Sequence, residues 1–472
     1  MLTYVYDNLD RLTNISYPDG TFEAFTFDKL DRSKVRDRMG RETVYAYDAM
    51  RQLASVQDPL NQISRFQYCG CGSVSALIDP MGRKTGWEYD LQGRLVAKQY
   101  ADGSRITYNY ENAKSRLKSV VDETGQFTIY DYNVDDTSSR VSYPNARIPT
   151  PAVTITYDSN YNRRLSMQDG IGTTTWSYHP AGTLGALQIA AANGPLSNST
   201  VAYLYDELGR VTNRAINGMA QLTAFDSLGR RTESVNALGK FSYIYGDASK
   251  RLLSVQYPNG QTANFEYFTN NSDRLLQRIS YRKADSSLIS RFTYAYNPSG
   301  IVTNWMQEQR YSTNVWSMSY DALDQLLSVQ SKVNGTIEES YEYGYDMGRN
   351  RLFEIINGVR HSFAYNALNQ IQSASGATNS PPRLYTWNAK NQLAEVLDNG
   401  GRSEIQYDGI GRQVRLKQWM GNTLTNDVQY VWSDNELCEE RDANGGTLYK
   451  RWFALGRQNG GENEFFSRDL LG

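Results

Sequence analysis

Aromatic residues alternate with other residues along the whole chain, and the alternation returns at a nearly constant spacing. Each occurrence reads aromatic-x-aromatic followed by a turn residue, and we name the second aromatic the index aromatic. Most steps between index aromatics are 20 to 22 residues, and the longest is 29. An alternation of period two predicts strands with two aromatics on one face. The twenty index aromatics are Tyr6, Phe27, Tyr47, Tyr68, Tyr89, Tyr110, Tyr132, Tyr157, Tyr178, Tyr205, Phe225, Tyr245, Tyr267, Tyr296, Tyr320, Tyr345, Tyr365, Trp387, Tyr407 and Trp432.

The fifth repeat shows the pattern within one period. Trp87 and Tyr89 alternate on one strand face, and Asp90 and Gly93 then frame a tight turn. Asp hydrogen-bonds backbone amides two residues on, and Gly supplies the positive φ that such turns need. A second strand follows and ends at another turn signal, residues 100–103. Two strands and two turns in about 21 residues predict one β-hairpin per repeat.

The second turn of several repeats has a proline signature. Proline presets φ at the first corner, and Gly or Asn tolerates the left-handed region after it. Since proline is costly inside a helix or a central strand, these prolines indicate strand ends. They occur in Tyr17-Pro18-Asp19-Gly20, Asp58-Pro59-Leu60-Asn61, Asp79-Pro80-Met81-Gly82 and Tyr257-Pro258-Asn259-Gly260.

No stretch has the i, i+3, i+4, i+7 spacing of an amphipathic helix. Four insertions interrupt the period, at residues 144–151 and 186–199, between Tyr267 and Tyr296, and at 376–382. We expect extended loops or lengthened hairpins there, because loops absorb insertions at little cost. The period resumes after each insertion, which predicts a single repeat array over residues 1–472.

The predicted fold class is all-β. A lone hairpin is marginal in water, so the hairpins must pair side by side into one long sheet. About forty strands at roughly 4.8 Å spacing give a strip of about 190 Å. Because strands carry a right-handed twist, we expect the sheet to coil into a spiral, shell-like or cocoon-like wall that is incomplete in this chain.

Composition and charge exclude several classes of protein. The 472 residues include 35 Tyr and 37 Gly, and 49 basic residues nearly balance 51 acidic ones. With a net charge of −2, the chain lacks the excess of basic residues that is typical of a general nucleic-acid-binding protein. No run of 18 apolar residues predicts a membrane-spanning helix. Residues 1–4 enter a strand pattern at once, and we identify no signal peptide.

Few residues are candidates for chemistry. His179 takes the Asp position of its repeat, and His361 lies on a predicted strand; we expect a turn substitute and a surface side chain. Cys69 and Cys71 replace the Asp turn of the fourth repeat, where we expect free thiols, with a local disulfide or metal contact as the alternative. Cys438 is isolated. The sequence has no nucleophile elbow and no paired zinc-ligand motif.

The aspartates recur at one place. Ten of the twenty repeats have Asp directly after the index aromatic, which favours turn capping over acid–base catalysis. Asp135 and Asp136 fall in a predicted loop, where calcium binding is conceivable although the Asp-x-Asp-x-Asp-Gly pattern is missing. We therefore predict no catalytic, cofactor-binding or metal-binding residues, no cofactor and no enzymatic activity.

The pattern Tyr-x-Tyr-Asp-x-x-Gly-Arg-Leu, seen almost whole at residues 203–211 and 87–95, resembles the YD repeat of the Rhs family. That family includes bacterial polymorphic toxins, wall-associated proteins, shell components of insecticidal toxin complexes, and teneurins. The resemblance implies a hollow cocoon around a C-terminal toxin or other polypeptide cargo, and a location that is secreted or at the cell surface. It also implies that residues 433–472 lead into a core-associated region that the chain lacks, so we expect a fragment.

Two functions remain open at this stage. The first is the structural shell of an Rhs-type toxin or contact-dependent delivery protein, with a polypeptide cargo and a secretion machinery as partners. The second is a cell-surface adhesion or carbohydrate-binding YD-repeat protein, because exposed Tyr and Trp rings stack on sugars. The competing interpretation of those rings is that they pack the wall between successive hairpins, and we favour it.

Overall fold

The computed structural model describes residues 1–366, 369–376 and 383–470. These residues form 43 strands of one sheet and a single turn of 3-10 helix at Asn270–Ser272, and they contain no α-helix. The all-β prediction is confirmed. The strands, in chain order, are β1 (Thr3–Tyr6), β2 (Leu12–Ser16), β3 (Phe22–Asp28), β4 (Asp31–Arg36), β5 (Glu42–Tyr47), β6 (Leu53–Gln57), β7 (Ile63–Tyr68), β8 (Val74–Ile78), β9 (Lys84–Tyr89), β10 (Leu95–Gln99), β11 (Arg105–Tyr110), β12 (Leu117–Val121), β13 (Phe127–Tyr132), β14 (Ser138–Ser142), β15 (Val153–Tyr157), β16 (Arg164–Gln168), β17 (Thr173–Tyr178), β18 (Ile189–Asn193), β19 (Thr200–Tyr205), β20 (Val211–Ile216), β21 (Met219–Phe225), β22 (Arg231–Asn236), β23 (Gly239–Tyr245), β24 (Leu252–Gln256), β25 (Thr262–Tyr267), β26 (Leu276–Arg282), β27 (Leu288–Tyr296), β28 (Val302–Gln309), β29 (Ser312–Tyr320), β30 (Leu326–Val333), β31 (Thr336–Tyr345), β32 (Arg351–Ile356), β33 (Val359–Tyr365), β34 (Ile371–Ser375), β35 (Arg383–Trp387), β36 (Leu393–Asp398), β37 (Gly401–Tyr407), β38 (Gln413–Met420), β39 (Thr423–Ser433), β40 (Glu436–Arg441), β41 (Leu448–Phe453), β42 (Gly456–Asn459) and β43 (Glu462–Phe465).

Each of the twenty repeats begins with an odd-numbered strand that ends at its index aromatic. Only β3 and β39 run one residue further, past Phe27 and Trp432. The strand that follows pairs back antiparallel, as β9 and β10 do through Trp87 and Lys98. The predicted hairpin per repeat is therefore confirmed, and so are the predicted turns wherever the structure describes the residues that connect the strands.

A β-bulge lies at the index aromatic. In nineteen repeats the pairing register shifts at this residue; in the first, Val5 pairs with Asn14 but Tyr6 pairs with Leu12, so Thr13 is the extra residue. A bulge adds local twist and redirects side chains at the end of a strand. The bulge therefore gives the index aromatic, and the turn residue that follows the aromatic, the same orientation in each of these repeats.

The insertions are not all loops. Residues 144–151 form the predicted connection between β14 and β15, but residues 186–199 contain strand β18. The 3-10 turn and the seven-residue strand β26 account for the insertion before Tyr296. Of the insertion at 376–382, residues 377–382 lie outside the described part of the chain.

The chain forms two compact units. The first consists of Met1–Ile106 with Ala263–Ser380, and the second of Thr107–Thr262 with Pro381–Gly472. Each unit therefore brings together two segments that are distant in sequence. The repeats themselves continue through both units without a change of pattern.

The second unit has a buried core where its two segments meet. Val201, Tyr203 and Ile216 on β19 and β20 pack with Cys438 on β40, and each is less than a tenth exposed. The first unit differs at its N-terminal hairpins. None of residues 1–75 is buried, and Ala76 is the first side chain in the chain to be fully covered.

Candidate functional site

The most regular feature of the structure is the joint between neighbouring repeats, which begins with the turn residue after the index aromatic. In the fifth repeat, Oδ1 of Asp90 accepts the backbone N–H groups of Gln92 and Arg94, both at 2.9 Å. Gly93, with φ at 76°, closes the turn with a 3.0 Å bond to the Asp90 carbonyl. The backbone N–H of Arg94, together with its guanidinium, lowers the pKa of Asp90. The aspartates are therefore turn caps, as the sequence predicted.

An arginine extends several joints to the next repeat. Nε of Arg210 donates to Asp206 at 2.6 Å, and its guanidinium carbon lies 4.5 Å from the ring centre of Phe225, the next index aromatic. Arg230 repeats the arrangement over Tyr245 at 5.0 Å. A cation over an aromatic face is attractive. One guanidinium thus ties its own turn to the strand of the following repeat.

The hydroxyl of the index tyrosine forms the other link. Tyr68 donates to the Leu53 carbonyl at 2.9 Å, and Leu53 is the residue paired with Tyr47, the preceding index aromatic. The same bond, at 2.6 to 3.2 Å, recurs along the chain. Its donors are Tyr47, Tyr68, Tyr89, Tyr132, Tyr157, Tyr178, Tyr205, Tyr296, Tyr320, Tyr345, Tyr365, Tyr407 and, through its indole N–H, Trp432.

Sequence reasoning missed this bond because its acceptor is a backbone carbonyl, which any residue provides. One signal was available, since sixteen of the twenty index aromatics are Tyr rather than Phe. Phe27 and Phe225 cannot donate, and both have an arginine over the ring instead. The aromatic-x-aromatic-Asp pattern is thus the chemistry by which each repeat fastens to its neighbour.

A second set of contacts, which we name the C-terminal seam, joins residues 433–466 to residues 197–257 within the second unit. The Tyr203 hydroxyl lies 2.9 Å from the Ser433 hydroxyl, and burial raises the pKa of Tyr203 to about 12. The Tyr257 hydroxyl donates to the Phe466 carbonyl at 3.2 Å. Phe465 packs beside Tyr257 with ring centres 6.2 Å apart.

A buried charge cluster lies in the same seam. Glu439 is fully buried and accepts from Arg441 on its own strand, from Arg451 at 2.8 Å, and from the Asn217 amide at 2.9 Å. Arg441 also donates to the Ser197 carbonyl at 2.6 Å. Buried charges need such pairing, because leaving one unpaired is costly. The cluster therefore fixes the hairpin of β40 and β41 on the turn before β19.

Clefts in the second unit follow the seam. One of them has a volume of about 570 Å³ and is lined by Trp176, Tyr203 and Trp432 among others. Two of its carboxylates have partners, since Asp169 accepts the Gly409 N–H at 2.7 Å and Asp408 pairs with an arginine. The cleft is therefore a gap between packed strands rather than an array of convergent unpaired groups.

A second cleft in this unit, of about 450 Å³, contains Lys390. Its ammonium donates to the Gly409 carbonyl at 3.2 Å, and burial lowers its pKa against the opposing influence of Asp408 and Asp169. Lys390 lies in the turn of its repeat, and no nucleophile–base pair surrounds it among its described neighbours. We assign it no chemistry.

The remaining candidates take structural positions. His179 replaces a turn aspartate, as predicted, and its Nε2 lies 2.9 Å from the Tyr203 carbonyl; His361 is half-buried on β33. Asp135 caps its own turn through Thr137, while Asp136 pairs with Lys114 and Arg116, which lower its pKa. No cluster of three metal-ligating side chains occurs among the described residues. Within them, too, no helix is long and apolar enough to cross a membrane.

The expectation of free thiols at the fourth repeat was wrong. Cys69 and Cys71 form a disulfide across the turn, with their Cα atoms 5.1 Å apart, within the range that a disulfide requires. In other repeats this turn brings an aspartate oxygen next to the amide two residues on. In the fourth repeat the same turn brings the two sulfur atoms together. Cys438 is a free, buried thiol.

These repeats define a class of protein, the tandem β-hairpin array. Comparison with known proteins shows which members of this class the chain is similar to. The family model for the teneurin YD-shell matches residues 1–193. Teneurin-3 of Danio rerio is 22% identical over 456 residues, 91% of this chain and 15% of that protein. Double-stranded DNA deaminase toxin A of Burkholderia cenocepacia is 27% identical over 180 residues, 37% of this chain and 12% of that protein.

A crystal structure of TcdB2-TccC3-TEV shares the fold, with a TM-score of 0.73 at 17% identity over 95% of this chain and 27% of that one. The predicted resemblance is confirmed: the chain is similar to YD-repeat proteins of the teneurin and Rhs type. It spans less than a sixth of the length of the two curated relatives.

Proposed function

We propose that this chain forms part of the wall of an Rhs-type shell, and that the shell encloses a polypeptide cargo in a toxin or contact-dependent delivery protein. The observation that carries the proposal is the recurrent joint. A bond from the index aromatic to a carbonyl of the preceding repeat recurs at intervals from Tyr47 to Trp432, so the chain is built as a continuous wall rather than around one reactive centre. The fold shared with TcdB2-TccC3-TEV over 95% of the chain supports it.

The wall itself has no enzymatic role in this proposal. Relatives such as the deaminase toxin of Burkholderia cenocepacia are named for an activity, but this chain covers only 12% of that protein. We assign that activity to a part of the relative that the chain does not match. The partners are then a C-terminal toxin or other polypeptide cargo and a secretion machinery, and the location is secreted or at the cell surface. The Cys69–Cys71 disulfide supports an oxidising compartment.

Protease protection tests the proposal. An unfolded reporter peptide carrying one site for a sequence-specific protease is fused after residue 472, and its cleavage is compared with that of the free reporter. We expect cleavage at least tenfold slower in the fusion. The matched control carries Glu439→Ala, which leaves Arg441, a buried side chain, and Arg451 without their carboxylate partner. Equal cleavage of the fused and free reporters, with the β-sheet circular dichroism intact, would overturn the shell.

Cell-surface adhesion or carbohydrate binding is the second candidate, and the teneurin-3 match over 91% of the chain favours it. The packing of the aromatics opposes a sugar-stacking role in the first unit. There the rings of Trp305 and Trp316 stack on each other at 5.6 Å and cover one another's faces. Binding of the intact chain to a glycan array, lost on substitution of exposed rings such as Tyr311, would favour adhesion instead.

A further inference from the structure

The fourth repeat departs from every other described turn in its chemistry. Its turn residue is Cys69, bonded to Cys71 two positions on, between β7 and β8. Cys71 and the glycines on both sides of it are exposed, while Cys69 is half-buried. The bond therefore lies on the surface, with one sulfur open to solvent.

The backbone of this turn does not depend on the disulfide. The Cys69 N–H donates to the Ser73 carbonyl at 2.9 Å, and the Gly72 N–H donates to the Cys69 carbonyl at 3.0 Å. Asp90 and Gly93 form the same two bonds in the fifth repeat, both at 3.0 Å. The disulfide thus occupies the place where an aspartate oxygen accepts the amide two residues on.

The disulfide also does little for the stability of the fold. A cross-link stabilises mainly by restricting the unfolded chain, and that restriction grows with the length of the closed loop. Here a single residue, Gly70, lies between the cysteines. The neighbouring repeat reaches this turn independently, because the Gln52 side-chain amide donates to the Gly72 carbonyl at 3.4 Å.

We propose that Cys69 and Cys71 form a surface site of thiol–disulfide exchange, whose substrates are external thiols. An external thiolate attacks Sγ of Cys71, the exposed sulfur. The Cys69–Cys71 bond breaks, the electron pair leaves on Sγ of Cys69, and that thiolate takes a proton from water. A second external thiol then attacks the mixed disulfide and releases the Cys71 thiol. The protein gains two electrons and two protons, and the external thiols are oxidised to their disulfide.

The third cysteine provides an internal reference. Cys438 is 1% exposed in the core of the second unit, and burial raises its pKa to about 11. A buried thiol that stays protonated does not exchange, because the thiolate is the reacting form. Reaction at Cys69 and Cys71 without reaction at Cys438 therefore reports exchange in the folded chain.

The test is alkylation of the native chain, read by intact mass and peptide mapping. Without reductant we expect no iodoacetamide label on Cys69 or Cys71. After dithiothreitol we expect both to be labelled, at least 100-fold faster than Cys438, and oxidised glutathione should restore the unlabelled state. In Cys69→Ser, which leaves the exposed sulfur alone, we expect one glutathione to attach at Cys71. The thermal midpoint of the wild-type chain should change by less than about 2 °C on reduction.

The chain supplies its own control, Cys69→Asp with Cys71→Ala, which restores the Asp-x-x-Gly turn of the fifth repeat. We expect it to match the thermal stability of the wild-type chain and to be indifferent to dithiothreitol. The proposal is overturned if the disulfide is reduced only in denaturant that unfolds the chain. It is equally overturned if reduction lowers the thermal midpoint by many degrees, or if chain made under oxidising conditions has both thiols free.

Discussion

The N-terminal hairpins of the first unit and the C-terminal seam of the second unit use the same repeat but are held down differently. Residues 1–75 bury no side chain, and they contact the segment 263–380 of the first unit through ion pairs, Arg38 with Asp273 and Arg41 with Asp324. The seam instead surrounds Glu439 and Ile216 with packed side chains. The repeat therefore builds the sheet, and the contacts between segments that are distant in sequence decide how firmly a given stretch is anchored.

The largest expected effect is at the buried charge cluster. Glu439→Ala leaves Arg441 and Arg451 without their carboxylate in a buried site, and we expect the free energy of unfolding to fall by about 3–5 kcal/mol. Urea unfolding measures it. The matched control is Glu436→Ala on the same strand, whose side chain is 69% exposed and pairs with Arg214. We expect the control to cost less than about 1 kcal/mol, and a similar cost at both positions would remove the contrast.

Ile216→Ala tests the apolar part of the seam. Ile216 is 0% exposed, so the substitution leaves a cavity and should lower the free energy of unfolding by about 2–5 kcal/mol. Ile15 in the first hairpin is only half-buried, and Ile15→Ala should cost about 1 kcal/mol because less apolar area is lost. Thermal or urea unfolding compares the two. Equal losses would mean that the N-terminal hairpins are covered in solution.

The tyrosine link is common to both regions. Tyr68→Phe removes the bond to the Leu53 carbonyl in the first unit, and Tyr407→Phe removes its equivalent to Leu393 in the second. We expect each to cost about 0.5–1.5 kcal/mol by urea unfolding, since one intramolecular hydrogen bond is lost. The control is Tyr6→Phe, since the structure gives the Tyr6 hydroxyl no hydrogen-bond partner among the described residues. Its substitution should lie within about 0.5 kcal/mol of the wild-type chain.

How far the sequence predicted these features depends on whether they repeat. The hairpins and the index aromatics recur twenty times and the Asp turn ten times, so their spacing alone indicated them. The seam does not recur: Tyr203 meets Ser433 across 230 residues, and nothing in either local pattern selects the other. The Cys69–Cys71 disulfide was only the alternative to free thiols, because the sequence of a turn does not show which side chains it brings together.

The ion pairs of the N-terminal hairpins should respond to salt. Arg41 pairs with Asp37 in its own turn and with Asp324, and the side chains of Arg41 and Asp324 are 16% and 34% exposed. We expect Arg41→Gln to lower the free energy of unfolding by up to about 1 kcal/mol at low ionic strength, because exposed pairs are weak. The difference should vanish near 1 M salt, where screening is strong. A loss at Arg41 that persisted in salt would show a buried anchor like that of Glu439.

The smallest expected effect lies in the turn carboxylates, and it should be the same in both regions. Hydrogen bonds from the backbone N–H of Arg94 and of Arg230, aided by the two guanidinium groups, lower the pKa of Asp90 in the first unit and of Asp226 in the second. A lowered pKa in the folded state stabilises the fold above the unfolded pKa of about 3.9, and the gain is lost as pH falls through the folded pKa. Asp90→Asn and Asp226→Asn should therefore be slightly destabilising at pH 7 and indistinguishable from the wild-type chain at pH 2, as followed by thermal unfolding across pH.

Asn is a fair substitute because Asn388 caps its turn through the same oxygen, accepting the Gln392 N–H at 3.0 Å. A clearly larger effect at Asp226 would mean that the contacts of the second unit also stabilise its turns. The difference in stability between the two regions would then no longer be separable from the repeat itself.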